Sequence, residues 1–497
     1  MRRVLSSCVL IFIVPFLACS SSKNIPSIIS FTATPSSLPI RGGTVNLQWL
    51  VTGASTLNID HGVGAVSGTS TNAAVSSTTA YTLSATNDSG TATQTTAVTV
   101  SSATTVSGQV TYSDRTTGLP NARVLLAGQA PIDADSGGHF TVSNVIPPYT
   151  LSVTYPKSGT VSIYQGLTRP DPVLSLNIVA PPSRSSKISG QLNGSCCTFS
   201  TTSSPNATAI GFDSADTQGN TGMVGATSGF YDLVVDWLAA APSSISGNFY
   251  ALQAKCPNGN SCLFPASYLG FVSSPSVSLN AGDVTSSQNF SLLPVATSHV
   301  TGTVLAAPGY HVSENHLQML FPHGLVFLLA GGLTTSTSFD FPVPTGTPAS
   351  FQLSPTATNS AGASVTTNLA GIVPGTSGIN IPMAAAPTLG TPSDAAVLSA
   401  APQLNWIGST DQVFELVIKN SHYVGLEWRI LTHATIASLP DLSAFTSNLE
   451  PNTTYNWSVR SYSPISSLDA FSASGAPPTS VSGSIGVSQS QSFTTAP

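Results

Sequence analysis

The sequence predicts an all-β chain, and three observations carry that prediction. Only 7% of its 497 residues are charged, against a usual share of about 25%, so its polarity comes from Ser, Thr, Asn and Gln. Val and Thr, which suit pleated strands, are abundant, while 41 Gly and 36 Pro punctuate turns and break helices. Apolar and polar residues alternate over short runs, and no long stretch repeats with a period of 3.6 residues. The length fits several domains, and the expected architecture is a tandem of antiparallel β-sandwich modules behind an N-terminal signal segment.

That segment comes first. Arg2 and Arg3 give a positive start, Val9 to Leu17 an apolar stretch too short to span a bilayer, and Ala18 a small residue before Cys19. Residues 1–18 therefore read as a signal peptide. Phe16-Leu17-Ala18-Cys19 resembles the lipobox of bacterial lipoproteins, although Phe16 replaces the usual Leu. The resemblance implies that Cys19 becomes the lipidated first residue, with 19–24 as tether and a membrane held through the lipid anchor. Ordinary cleavage beside an incidental Cys is the alternative. Without Arg2 and Arg3, the 14 basic residues fall to 12 against 20 acidic, leaving the processed chain near −8. No basic cluster remains, which argues against nucleic acid and against a polybasic lipid surface.

Residues 25–102 alternate at Val45, Leu47 and Trp49, and again at Tyr81, Leu83 and Ala85. Period-two patterning of this kind turns one face of each strand into a sandwich core. Through Ser30-Phe31-Thr32-Ala33-Thr34-Pro35, Gly43-Thr44-Val45-Asn46-Leu47-Gln48-Trp49 and Ala80-Tyr81-Thr82-Leu83-Ser84-Ala85, the segment resembles a bacterial immunoglobulin-like repeat. Tyr81 falls where a tyrosine corner is expected. Residues 104–180 carry Val106-Ser107-Gly108-Gln109-Val110, Asp135-Ser136-Gly137-Gly138-His139-Phe140 and Pro148-Tyr149-Thr150-Leu151. They resemble the regulatory-like domain of carboxypeptidases, a seven-stranded prealbumin-type sandwich without catalytic residues, with Pro148 in place of that family's usual Gly. Pro181-Pro182-Ser183 reads as a semi-rigid linker.

The opening strand then recurs. Ile188-Ser189-Gly190-Gln191 and Val300-Thr301-Gly302-Thr303 echo the stretch around Gly108, and Gly229-Phe230-Tyr231-Asp232-Leu233-Val234-Val235 echoes the later strand of the same pattern. Diverged copies are expected over 187–295 and 298–384, with unequal spacing that speaks for duplication with insertions. The apolar run 325–333 is read as a buried strand. Residues 387–497 resemble a fibronectin type III domain through Gln403-Leu404-Asn405-Trp406, the tyrosine-corner stretch Leu449-Glu450-Pro451-Asn452-Thr453-Thr454-Tyr455, and Ser492-Phe493-Thr494.

Of six cysteines, Cys8 leaves with the signal and Cys19 takes the lipid. Cys196, Cys197, Cys256 and Cys262 remain, an even number in an exported chain, which favours two disulfides; zinc is the rival. Neighbours on an extended strand point to opposite faces, so both bridges are expected to run between the two pairs, pinning the insertion of the second copy to its opening strand.

Chemistry-bearing patterns are sparse. There is no G-x-S-x-G, H-E-x-x-H, G-x-x-x-x-G-K-[ST] or helix-opening G-x-G-x-x-G, and acidic residues are scattered. No cofactor and no enzymatic activity are expected. Asp133-Ala134-Asp135-Ser136-Gly137 lacks the distal acid of a calcium loop and reads as a β-turn. His311, His316, Met319 and His323 are the metal candidate to test, against a loop with incidental histidines. Trp49, Trp406 and Trp457 occupy alternating strand positions and read as core. Trp428, between Glu427 and Arg429, is the candidate exposed aromatic for ligand binding. The resulting expectation is an exported, anchored bacterial envelope protein used for adhesion or scaffolding, with an envelope polymer, glycan or protein as partner. The alternatives are a carbohydrate-binding envelope protein and an enzyme hidden within 187–384.

Overall fold

The structure is a computed structural model. It describes residues 24–497 except 40–41, 101, 157, 182–183, 198, 200–205, 218–219, 225–228, 239–240, 257–264, 400–401, 423–426 and 474–481. Strands make up 60% of it and helices 2%, which decides the all-β class. The chain divides into two compact units, with the boundary between Ala103 and Thr104.

In the first unit, Ser27–Thr34, Gly43–Thr52 and Ser70–Val75 form one sheet. The second sheet runs in the order Ser37–Leu38, Gly90–Val100, Thr79–Asn87, Thr56–Ile59, Gly64–Val66. Alternation sends Val45, Leu47 and Trp49 inward from one sheet to meet Tyr81 and Leu83 from the other. The Trp49 indole N–H donates to the Gly68 carbonyl at 2.9 Å, so the buried ring keeps a polar partner. Tyr81 lies edge-on to His61. The hydrogen bond of a tyrosine corner is made in the last region, where the Glu450 N–H donates to the Tyr455 hydroxyl at 2.8 Å.

The second unit opens with seven strands, from Thr104–Thr111 to Val173–Ser175, in two layers. A three-stranded arrangement there recurs twice. Thr104–Thr111 pairs antiparallel with His139–Val145 and parallel with Val173–Ser175. Arg184–Asn193 does the same with Phe230–Trp237 and Val284–Thr285. Thr297–Leu305 does so with Ser338–Pro344 and Ile379–Pro382. The register is also shared: Gly108 faces Phe140, Gly190 faces Tyr231 and Gly302 faces Phe339. A Cβ on any of these glycines would run into a backbone carbonyl, that of Pro172, Gln288 or Ile379 respectively. Glycine recurs in the sequence because the closing segment approaches the opening strand too closely for any side chain.

These regions are not separate beads. A single sheet runs through Arg123–Leu126, Tyr149–Thr154, Thr160–Leu167, Glu427–Thr432, Val413–Asn420, Thr454–Ser463, Gly483–Val487, Ser364–Ile372, Ser350–Leu353, Tyr310–Leu320 and Val326–Leu333. The C-terminal strands thus lie between strands of the 104–180 and 298–384 regions. Thr160–Leu167 pairs parallel with Glu427–Thr432, placing Val161 opposite Trp428 and Ile163 opposite Ile430. Gly483–Val487 pairs antiparallel with Ser364–Ile372. Apolar cores cross the same seams: Leu125, Val161 and Ile163 pack with Trp406, Phe414 and Trp457, while Leu468 and Phe471 pack into the core of the 104–180 region.

The run 325–333 differs from its expectation. It supplies the terminal strand of this sheet, with Phe327 and Leu329 inward but Val326, Leu328 and Leu333 on the exposed side.

Candidate functional site

The groups that sequence reasoning singled out do not converge. Cys19 lies outside the described residues. His311 is exposed on Tyr310–Leu320, Met319 is fully buried in the core, and His316 pairs with Glu314 at 3.2 Å. His323 turns to Asp213 instead. That carboxylate is only 1% exposed; it accepts from the His323 and Leu325 amides, both at 3.1 Å, and lies 3.2 Å from His323 Nδ1. Asp213 therefore ties the 187–295 region to the loop after Tyr310–Leu320. No group of three or more His, Cys, Asp or Glu side chains able to hold a metal occurs among the described residues. In the 133–137 turn, Asp135 Oδ1 accepts from Gly137 N at 2.8 Å and His139 N at 2.7 Å. The hydrogen bond from His139 leads in holding this carboxyl below its usual range.

Trp428 is corrected from candidate ligand platform to core. It is 4% exposed, its indole donates to the Ser447 carbonyl at 2.7 Å, and its ring meets Tyr455 edge to face. The parallel neighbour Thr160–Leu167 covers the strand on which it sits, and nothing in the local sequence announces that strand.

The cysteines are corrected too. Cys256 is disulfide-bonded to a partner outside the described residues, where Cys262 also lies. Cys196 and Cys197 are free thiols, so the expected bridges between the two pairs are absent from this structure. The physical reason is local. The two follow Arg184–Asn193 in a turn closed by Cys197 N–H donating to the Gly194 carbonyl at 3.2 Å, and their sulfurs face each other 2.7 Å apart.

What the fold does assemble, and sequence reasoning missed, are two polar groupings: a buried cluster within the C-terminal strands, and a seam that joins that region to 104–180. Glu415, 3% exposed, meets Arg429 Nε at 2.7 Å and accepts from the Tyr462 hydroxyl at 2.7 Å. Arg460 adds a longer contact to Glu415 at 3.7 Å, and Glu427 shares Arg429 at 3.1 Å. Burial, with the Glu415 charge beside it, pushes the Tyr462 phenol well up. Around the short helix Leu468–Phe471, Asp469 Oδ1 accepts from the Thr168 amide at 2.9 Å and the Arg169 amide at 3.1 Å. Arg169 also donates to the Asp469 carbonyl at 2.7 Å. Arg115 donates to the Phe471 carbonyl and lies 4.7 Å over the Phe471 ring. The signal that could have exposed the buried cluster is weak: Glu415 and Arg460 become partners only through cross-strand register.

A groove of about 720 Å³ lies beside Phe271, Leu293, Pro294, Val295, Thr345 and Pro348, with no charged or titratable side chain in its lining. Its hydroxyls, Ser273, Thr345 and Thr347, have no acid or base in the lining to activate them.

Neither a known family nor a curated protein matches the chain. Solved structures that align with it include the TIE protein of Bacillus anthracis, at 11% identity and a TM-score of 0.16, covering 73% of this chain and 75% of that one. The pilin subunit BcpA of Bacillus cereus aligns at 11% identity and a TM-score of 0.13, covering 57% and 99%. Two B repeats of the collagen-binding protein of Staphylococcus aureus align at 10% identity and a TM-score of 0.14, covering 72% and 92%. At TM-scores this low the likeness carries no argument about function.

Proposed function

We propose that this is an exported, non-enzymatic bacterial envelope protein, anchored through a lipidated Cys19, that holds a stiff β-sandwich body away from a membrane for adhesion or envelope scaffolding. The observation that carries the reading is the continuous sheet through the second unit, supported by the charged n-region, apolar stretch and Cys19 at the N-terminus. A body in which three regions share one sheet resists bending at its joints, which suits a spacer or presenting surface. Of the groups with the most specific surroundings, Glu415 and Arg429 are spent on each other within the C-terminal strands, and Asp469 on holding that region to 104–180.

The anchor is tested by detergent partitioning of the Cys19→Ser chain. Its release into the aqueous phase, or accumulation unprocessed, is the expected outcome; a fully processed variant that still partitions with the membrane contradicts the reading. A binding screen of the chain from Ser20 onward against envelope polymers, glycans and matrix proteins then identifies the partner class.

A further inference from the structure

We propose that Cys196 and Cys197 are a modification site that closes into a vicinal disulfide. Three observations converge on it. The two sulfurs are 2.7 Å apart, so a short movement reaches the bonded separation of about 2.05 Å. The pair lies in the turn closed on Gly194, not in an extended strand, which removes the geometric objection that adjacent side chains diverge. Both sulfurs press against Gly270 on the strand Ser267–Asn280, where an added Cβ would collide with each of them. Gly270 thus clears a seat shaped for the sulfur pair. Meanwhile Cys256 already has a disulfide partner, so it does not compete for either thiol.

The two thiols divide the work. Cys197 is buried, and burial together with the adjacent Cys196 sulfur raises its pKa, making it a poor first nucleophile. Cys196 is partly exposed, with its thiol 3.4 Å from the Leu292 carbonyl. It attacks first, as a thiolate, on one sulfur of an exchangeable disulfide such as oxidised glutathione. A mixed disulfide forms and one glutathione thiolate departs. Cys197, giving up its proton, then attacks the Cys196 sulfur and expels the second glutathione. Two electrons pass from the dithiol to the glutathione disulfide, and the two protons end on the released thiols. The closed ring fixes the turn against Gly270 and Leu292 and removes both reactive thiols. Only the identity of the oxidant in the cell rests on the proposed export.

The test uses the full chain. It is reduced just enough to free this pair, exchanged into excess oxidised glutathione, alkylated, digested without reductant and weighed by mass spectrometry. The expected product is a peptide holding Cys196 and Cys197, two hydrogens lighter than the dithiol, with neither label nor glutathione. Full alkylation of both residues, a lasting glutathione adduct in the unaltered chain, or linkage to the Cys256 peptide overturns the proposal. Cys197→Ser removes the second step, so a stable glutathione adduct on Cys196 is expected there; an unmodified Cys196 in that variant also counts against it. Gly270→Ala is expected to slow closure while the Cys256 bridge stays intact; unchanged closure contradicts the seat. If the ring forms with glutathione but the pair is found reduced in protein taken from its native envelope, the ring stands and the proposed export falls.

Discussion

The first unit and the C-terminal region are both sandwiches with cores of similar composition, yet they manage their sheet edges differently. In the first unit the five-stranded sheet ends on Ser37–Leu38 at one side and Gly64–Val66 at the other, strands of 2 and 3 residues. Short edges leave few unpaired backbone groups and finish that sheet locally; the three-stranded sheet ends on Ser27–Thr34 and Ser70–Val75, and no strand of the second unit pairs with either among the described residues. The C-terminal region ends its sheet on Glu427–Thr432 and Gly483–Val487, and both of these are covered by strands from elsewhere in the second unit. Its Trp428 and Ile430 are buried with the help of Val161 and Ile163. One sandwich is complete in itself, whereas the other is complete only in company.

Excision breaks this comparison most severely. Residues 24–103 are expected to fold alone and melt cooperatively. Residues 387–497 alone lose the strands that pair with Glu427–Thr432 and Gly483–Val487, and the Val161 and Ile163 cover of Trp428 and Ile430, and are expected to aggregate or to melt without a sharp transition in scanning calorimetry. Equal, cooperative melting of both fragments would remove the distinction.

The next effect is smaller and lies in the buried cluster of the C-terminal strands. Arg429→Ala leaves the buried Glu415 carboxylate without its nearest cation, and losing one partner of a buried pair costs about 3–5 kcal/mol. Urea unfolding of the whole chain should show the loss in the second-unit transition and leave the first-unit transition in place.

The smallest effect is a pH dependence at Asp469. Desolvation pushes its carboxyl up, but hydrogen bonds from Thr168 and Arg169, with the Arg169 charge, outweigh it and hold the group below its usual range. A carboxylate depressed in the folded state stabilises above its unfolded pKa of about 3.9, and the stabilisation is lost as pH falls through the lower folded value. Asp469→Asn should therefore lower the melting temperature at about pH 6 and converge with the unaltered chain toward about pH 2. A difference that persists unchanged in acid would mean that the charge of Asp469 is not what the seam uses.

The sequence showed some of this plainly and concealed the rest for definite reasons. Alternation at Val45, Leu47 and Trp49 leads directly to a buried face, because strand period and core face are one local property. The recurring glycines at 108, 190 and 302 were visible as repeats, and close backbone approach explains them. The continuous sheet was not legible. The partner of Glu427–Thr432 lies more than two hundred residues earlier in the chain, and a parallel pairing leaves no turn in the sequence to mark it. That omission produced the error at Trp428, whose neighbours Glu427 and Arg429 suggested a surface strand. The error at Cys196 and Cys197 has a different source. Extended backbone was assumed where Gly194 and Ser195 begin a turn.

Strand pairing across Thr160–Leu167 and Glu427–Thr432 holds the C-terminal region in the second unit. Amide hydrogen exchange on the full chain tests it most directly. Amides of Glu427–Thr432 and Thr160–Leu167 are expected to exchange as slowly as those of the central strand Val413–Asn420. Fast exchange along either seam strand, at the rate of a free sheet edge, would contradict it.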